Sequence, residues 1–302
     1  MIQKDLFGNA IQRRAPGKLA DEWGAYPFTV LNAREGWWQD RKHEWQNFGI
    51  RSEVGRDAPC YNTHSTEYMT GAPEGHTGTS IFDPVLTELM YRWFCPPGGQ
   101  ILDPFAGGSV RGIVAACEGY RYHGTELRPE QVAANRMQRH ELLTAEQAER
   151  LHWRTMDARD IGTEAPEADL VFTCPPYGDL EVYSDDPRDL STMDYPQFLA
   201  GMEAALGAAV SRLRRHRFLV IVVGDFRDRH GLMRGFTTDT VNIGRRLGLG
   251  LYNQAILLTA VGTAAMRANK QFRASRKLCK IHQDVLVFVN GDPRKATQAI
   301  GG

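Results

Sequence analysis

Four residues with reactive or shape-defining side chains stand together at positions 174–177, shortly after the apolar run LVF. Cys174 carries a thiol, which acts as a nucleophile in its thiolate form. Pro175 and Pro176 fix the backbone and remove two N–H donors, so a row of carbonyl oxygens faces outward. Tyr177 offers a flat face on which a planar ring could stack. The same residues are also typical of a strand-ending turn with a packed tyrosine, so their meaning depends on what precedes them.

A glycine-rich run, LDPFAGGSVRG, begins at Leu102. Gly107 and Gly108 let the backbone approach a ligand closely, and the start of the following helix offers free N–H groups. Asp103 would suit a ligand that carries an ammonium or a sulfonium group. The run is not a GxGxxG fingerprint, and no Lys-Ser/Thr pair follows as a phosphate loop requires.

Two further acids are predicted at the ends of the next strands. Glu126 lies 23 residues after Asp103 and could accept hydrogen bonds from both hydroxyls of a ribose. Asp157 follows the third strand and could accept one from the amino group of adenine. Each acid alone could be a solvated strand end, but the ordered set of three favours a nucleoside site.

Alternating helix and strand patterns from about residue 80 predict the elements that position these residues. Helices are predicted at 82–94, 110–118, 129–142, 195–214 and 237–247. Strands are predicted at 100–103, 122–126, 169–173, 218–224, 251–260 and 284–290, with another ending near Asp157. Such alternation is typical of a mostly parallel sheet covered on both faces, with ligands at the carboxyl ends of its strands. We predict an α/β, Rossmann-like fold whose last two strands form an antiparallel edge.

The two motifs together resemble the amino-methyltransferase family of DNA methylases, which carry a DPFxGxG-like cofactor motif and a [DNS]PP[YFW] catalytic motif. From about Thr79 to Pro293 the chain is similar to phage-encoded DNA methylases, in the runs TSIFDPVL, RWFCPPGG, ILDPFAGGSVRG, CPPYGDLEVYSDDPRDLS and HQDVLVFVNGDP. The resemblance implies a methyltransferase fold, S-adenosylmethionine as the cofactor and double-stranded DNA as the partner. The cofactor site predicted from motifs and resemblance comprises Thr79, Ser80, Phe82, Asp103, Pro104, Phe105, Ala106, Gly107, Glu126, Leu127, Asp157 and Ala158.

Position 174 departs from this family, which usually has Asp, Asn or Ser there to accept a hydrogen bond from the amino group being methylated. A thiol accepts poorly. In one interpretation, the Cys174 thiolate adds to C6 of a cytosine so that C5 is methylated, with Glu181, Asp179 or Asp185 as supporting acid or base. In the other, the Pro175 carbonyl orients an exocyclic amine, at N4 of cytosine or N6 of adenine.

The family's carbon-methylating relatives carry their cysteine after the prolines rather than before them. We nevertheless place the methyl group on C5 of cytosine and keep amino methylation as the alternative. The predicted catalytic residues are Cys174, Pro175, Pro176, Tyr177 and Glu181.

A basic segment, defined as residues 261–283, lies between the last two predicted strands and contains no acid. Its six cations are Arg267, Lys270, Arg273, Arg276, Lys277 and Lys280. We predict a loop that contacts DNA phosphates, although a solvated surface loop can have the same composition. His282 and Gln283, before the last strand, could help to shape the base pocket, or His282 could be structural.

The first 78 residues are predicted as an aromatic and basic extension, followed by the main domain (79–293) and a short tail (294–302). In the extension, Trp37, Trp38 and Trp45 could stack on DNA beside Arg41 and Lys42. They could equally pack in a core along one helix. The segment could also mediate dimerisation, so a homodimer is a further expectation.

Composition limits the remaining classes. The 302 residues carry 36 basic and 36 acidic side chains, which argues against coating nucleic acid by bulk charge but not against one basic face. The five cysteines are widely spaced and form no CxxC pair, so we expect neither a metal nor disulfides. Without a bilayer-spanning run or a secretory signal, we expect a cytoplasmic protein.

Two alternative functions are a catalytically dead DNA-binding protein and an RNA or free-nucleotide methyltransferase.

Overall fold

The computed structural model describes residues 18–51, 82–178, 183–259 and 264–301. Its strands form one eight-stranded sheet in the order β1-β7-β8-β6-β5-β2-β3-β4. The strands are β1 (Val30–Asn32), β2 (Gln100–Asp103), β3 (Arg121–Glu126), β4 (Leu151–Thr155), β5 (Ala168–Thr173), β6 (Leu213–Val223), β7 (Gly250–Leu258) and β8 (His282–Asn290).

Helices connect most of these strands. They are α1 (Lys18–Trp23), α2 (Gly36–Asn47), α3 (Pro84–Phe94), α4 (Val110–Cys117), α5 (Pro129–Leu142), α6 (Ala145–Glu149), α7 (Tyr195–Arg212), α8 (Phe236–Arg246), α9 (Ala264–Ser275) and α10 (Pro293–Ala299). Several begin at signals readable in the sequence. The Asp83 side chain caps α3 by accepting from the Val85 and Leu86 amides, and Pro84 fills the first turn.

The mostly parallel α/β fold predicted from the sequence is confirmed. The described strands run parallel except β8, which is antiparallel to both β6 and β7. The strand order reverses at β2, which lies between β3 and β5, so a crevice opens there at the carboxyl ends of the strands. The antiparallel strand lies inside the sheet rather than at its edge, because β1 adds outside β7.

Two hydrophobic cores cover the two faces of the sheet. One contains residues of α2, α3, α4 and α5, and the other residues of α7 and α8. Strand β5 is buried at all six positions, so side chains on both its faces enter a core. This explains the apolar run that precedes the Cys174 motif.

The described part of the predicted N-terminal extension, residues 18–51, belongs to this fold rather than standing apart. Strand β1 pairs with β7, and α2 packs in the first core. Trp38 is fully buried and Trp45 nearly so, whereas Trp37 is about 40% exposed. Core packing therefore applies to Trp38 and Trp45, and the expectation that they stack on DNA is wrong. The predicted tail also folds, as α10, with Ala296 buried.

No described helix combines the length and apolar character needed to cross a membrane.

Candidate functional site

A cavity of about 660 Å³ opens at the carboxyl ends of the strands beside β2. This volume lies within the usual range for small-molecule sites. The predicted cofactor residues that line it are Phe82, Pro104, Phe105, Ala106, Gly107, Glu126, Leu127, Asp157 and Ala158. Cys174, Pro175, Pro176, Tyr177, Lys280 and His282 line it as well. The structure therefore brings the two sequence motifs to one cavity.

The glycine-rich loop is held open towards this cavity. Gly107 has a φ of +53°, and a side chain there would meet nothing within 4 Å. Its N–H donates to Glu126 Oε2 at 3.0 Å, and its carbonyl accepts from the side chain of Asn135. A side chain at Gly124 would come within 2.8 Å of the Ala106 Cβ, so the loop lies directly against β3. The backbone thus presents an unobstructed surface to a ligand.

Asp103 is not among the cavity-lining residues, so its predicted contact with a positively charged ligand does not fit this structure. The side chain is completely buried. Its carboxylate accepts hydrogen bonds from Arg111 Nε at 2.6 Å, Tyr122 Oη at 2.7 Å and Thr173 Oγ1 at 2.7 Å. Asp103 therefore ties β2, β3, β5 and α4 together beneath the loop.

Arg111, and not Asp103, is the charged residue of the glycine-rich run that lines the cavity. Its guanidinium lies 4.5 Å from the centre of the Phe82 ring. It also donates to the carbonyls of Phe105 and Ala106, which fixes the loop. Burial alone would lower the pKa of Arg111, but the Asp103 carboxylate raises it above its ordinary value, so the cation persists.

Glu126 and Asp157 both line the cavity. The Glu126 side chain is about 14% exposed, and Oε1 accepts from the Arg128 amide at 3.0 Å. Asp157 accepts three hydrogen bonds from the Arg159 guanidinium, the shortest at 2.6 Å. Burial would raise the pKa of Asp157, but the side chain and backbone of Arg159 lower it below its usual value. Asp157 is therefore a charged acceptor at neutral pH.

The second motif forms the opposite part of the wall. Cys174 Sγ lies 3.8 Å from Tyr177 Oη, which also accepts from Gln283 Nε2 at 2.6 Å. The Tyr177 ring packs edge-on to Phe236, with centroids 6.3 Å apart. Gln283, on β8, therefore fixes the tyrosine that follows the two prolines.

Not every predicted residue is among the cavity-lining residues that the structure describes. Thr79, Ser80, Asp179 and Glu181 are outside the described residues, as is the side chain of Arg267. Asp185 is exposed and does not line the cavity.

The basic segment is a helix in part, which corrects the predicted loop. Helix α9 carries Lys270 and Arg273, and the chain then continues through Arg276 and Lys277 to β8. Thr259 and Ile281 pair where β7 ends and β8 begins, so the segment emerges at the cavity edge of the sheet. Its helical start has a sequence cause, since AAMRANKQFRAS lacks glycine and proline.

The structure adds cavity residues that the sequence motifs did not indicate. Gln39 and Lys42 of α2 line the cavity, and Lys42 Nζ lies 3.2 Å from Asp83 Oδ2. Nothing local signals this, because it depends on β1 joining the far edge of the sheet. Arg111 stood within the quoted motif, and its charge eight residues after Asp103 was the available signal.

Within the described ranges, no cluster of His, Cys, Asp and Glu could hold a metal ion.

No protein-family model and no curated protein matches the chain. Solved structures with a similar fold include TrmN from Thermus thermophilus, at 16% identity and a TM-score of 0.46 over 69% of this chain. That match covers 49% of TrmN, so this chain spans about half the length of that protein.

Two others have lower TM-scores. Magnesium protoporphyrin IX methyltransferase from Synechocystis PCC 6803, solved with bound S-adenosylmethionine, is 13% identical over 65% of this chain and 71% of its own, with a TM-score of 0.41. A candidate DNA modification methylase, also from Thermus thermophilus, is 23% identical over 45% of this chain and 50% of its own, with a TM-score of 0.34. With TM-scores below 0.5, these matches assign neither a family nor an activity to this chain. By its own sheet, the chain is a Rossmann-like α/β protein with a cavity at the switch point.

Proposed function

We propose that this protein is an S-adenosylmethionine-dependent methyltransferase that modifies cytosine in DNA. The observation that carries the proposal is the shared cavity, in which a nucleoside-type wall faces a cysteine and a tyrosine. A pure binding protein has no need to join these two walls.

The nucleoside wall fits the cofactor. Glu126 is placed to accept from ribose hydroxyls, and Asp157 from an adenine amine, while Leu127 and Ala158 offer apolar surface to the base. The open side of Gly107 leaves room for the rest of the molecule. When bound, the cofactor supplies an electrophilic methyl group on a sulfonium.

The second wall fits a planar acceptor. A base in a duplex must leave the stack before an enzyme can reach its ring atoms. Tyr177 provides a flat surface, and Gln283 fixes its hydroxyl. The side chain at position 174 offers no oxygen to accept from an exocyclic amine, which favours attack on the ring.

In the proposed reaction, the Cys174 thiolate adds to C6 of cytosine, and the electron pair shifts to C5. C5 would then take up the methyl group that the bound cofactor supplies, and the methyl–sulfur bond would break to give a neutral thioether. A base removes the C5 proton, and the returning electrons expel the thiolate from C6. The Arg111 cation interacts electrostatically with Cys174.

The substrate class is tested by methyl transfer. The protein is incubated with methyl-labelled S-adenosylmethionine and with duplex DNA, RNA or free nucleosides. We expect label in DNA. Label in RNA alone would overturn the choice of substrate.

The methylated atom is tested by digesting the product DNA to nucleosides and comparing Cys174→Ser with Cys117→Ser, a matched cysteine away from the cavity. We expect 5-methylcytosine, lost in the first variant and retained in the second. N4-methylcytosine or N6-methyladenine, with activity surviving Cys174→Ser, would rule out the thiolate step.

A further inference from the structure

A short hairpin that projects from the cavity edge carries exposed apolar side chains. It spans residues 225–235, between β6 and α8, and is called the finger here. Leu232 is 66% exposed and Met233 47%. Arg227 and Arg229 are exposed beside them.

The finger has a defined shape. Arg227 and Met233 form an antiparallel bridge, and the Asp228 N–H donates to the Leu232 carbonyl at 2.8 Å. Asp228 Oδ1 accepts from the amides of His230 and Leu232, both at 2.9 Å. Because these bonds hold the turn, the apolar tip is presented to solvent without collapsing onto the protein.

The base of the finger is built onto the catalytic motif. Asp225 Oδ1 accepts three backbone N–H groups, from Phe226, Gly235 and Phe236. Phe236 packs against the Tyr177 ring, and a side chain at Gly178 would come within 3.0 Å of Phe226. The tip therefore stands at a fixed place relative to Tyr177.

The finger also touches the basic segment. A side chain at Gly231 would come within 2.5 Å of Lys277 Nζ, so this lysine lies against the turn. The two aspartates of the finger accept hydrogen bonds from backbone amides. The exposed arginines of the finger add positive charge next to the cations of the basic segment. An apolar tip with cations beside it fits duplex DNA, whose phosphates are negatively charged and whose stacked bases form an apolar interior.

We infer that the finger inserts Leu232 and Met233 between base pairs of duplex DNA, beside the nucleotide that is turned out towards Tyr177. Apolar side chains used in this way unstack a base step, while neighbouring cations hold the phosphates. This inference rests on the proposed function and adds to it a residue-level device for opening the duplex.

The test compares two substrates of one sequence, a duplex and its single strand. In Leu232→Ala/Met233→Ala, we expect duplex methylation to slow by about tenfold or more, since the wedge no longer offsets the cost of unstacking. Methylation of the single strand should change by less than about twofold, because no base has to leave a stack. Met137→Ala, an exposed methionine on α5, is the matched control and should match the unaltered protein on both substrates.

Both tip residues are exposed, so the thermal midpoint of the double variant should equal that of the unaltered protein. Equal effects on duplex and single strand would overturn the inference while leaving the methyltransferase proposal intact. A change of oligomeric state would also overturn the inference. If the unaltered protein sediments as a dimer and the double variant as a monomer, the tip binds a second copy of the chain. An unaltered protein that methylates no DNA would overturn both proposals.

Discussion

Asp103 and Glu126 end neighbouring strands but have different surroundings. Asp103 is sealed beneath the loop by Arg111, whereas Glu126 retains an exposed face on the cavity wall. The two oxygens of Glu126 also accept backbone N–H groups, from Gly107 and Arg128. Unlike Asp103, however, Glu126 lines the cavity, where a carboxylate oxygen can accept a further hydrogen bond from a ligand. At the residue scale, Glu126 is therefore the acid on which cofactor binding should depend.

Glu126→Gln should weaken S-adenosylmethionine binding by about tenfold, because a neutral amide loses charge-assisted hydrogen bonds to the ribose. Calorimetric titration measures the change. Glu130→Gln, in the first turn of α5 and more than half exposed, is the control and should bind normally. Equal affinity in Glu126→Gln and the control would contradict the assigned role.

The sequence predicted which residues form the cavity better than it predicted what each contacts. Glycines and strand-end acids follow from local pattern, so Gly107, Glu126 and Asp157 were found. The pairing of Asp103 with Arg111 was not, because it depends on how tightly α4 packs against β2 and β3. Whether an acid turns inward or outward is decided by such tertiary contacts.

At the scale of elements, strand β3 carries a buried histidine. His123 is 7% exposed. Burial, followed by the nearby Arg154 cation, lowers its pKa from 6.5 to about 4. The folded protein therefore holds His123 neutral where the unfolded chain would bind a proton, so stability should fall between pH 6.5 and 4.

Near pH 4, keeping His123 neutral should lower the free energy of unfolding by about 3 kcal/mol. Denaturant unfolding of the unaltered protein and of His123→Gln across this range isolates this effect. As the pH falls, the free energy of unfolding should decrease more steeply for the unaltered protein than for the variant. Above pH 7, the two proteins should show the same dependence of this free energy on pH. Parallel profiles would show that His123 does not titrate as described.

The basic segment is the second element with a testable role. Replacing Lys270, Arg273 and Lys277 by alanine should weaken duplex binding and reduce the slope of log affinity against log salt by about 2 to 3, since each phosphate contact contributes roughly 0.9. The control replaces Arg121, Arg294 and Lys295, three exposed cations at the opposite edge of the sheet. An equal loss of slope in the control would indicate diffuse charge rather than a defined binding face.

Long elements were predicted within a few residues because their periodicity and caps are local. Helix α5 was expected at 129–142 and is found there. Strand β1 was missed, because three residues are too few for a pattern and its partner β7 lies more than 200 residues away. The helical part of the basic segment was missed because its charge was taken as a sign of a loop.

At the scale of the whole molecule, the N-terminal helix is joined to the main core. Trp38 is fully buried, and its Nε1 lies 3.2 Å from both carboxylate oxygens of Asp83, the cap of α3. Residues 18–51 and the main sheet should therefore unfold together.

Trp38→Ala should lower the free energy of unfolding by about 3 to 5 kcal/mol, because it removes a large buried side chain. Trp37→Ala, its partly exposed neighbour, should cost about 0.5 kcal/mol or less. Both are measured by chemical denaturation. A small effect of Trp38→Ala, with a separate early transition, would mean that α2 is a detachable segment.

The most direct test of the central claim uses duplex DNA in which cytosine is replaced by 5-fluorocytosine. Addition of the thiolate and transfer of the methyl group can proceed, but fluorine cannot leave as a proton does, so the reaction halts with protein and DNA joined. With methyl-labelled S-adenosylmethionine, we predict a labelled covalent complex whose DNA-bearing peptide contains Cys174. Labelled N4-methylcytosine from ordinary DNA, with no covalent complex from the fluorinated duplex, would contradict the account.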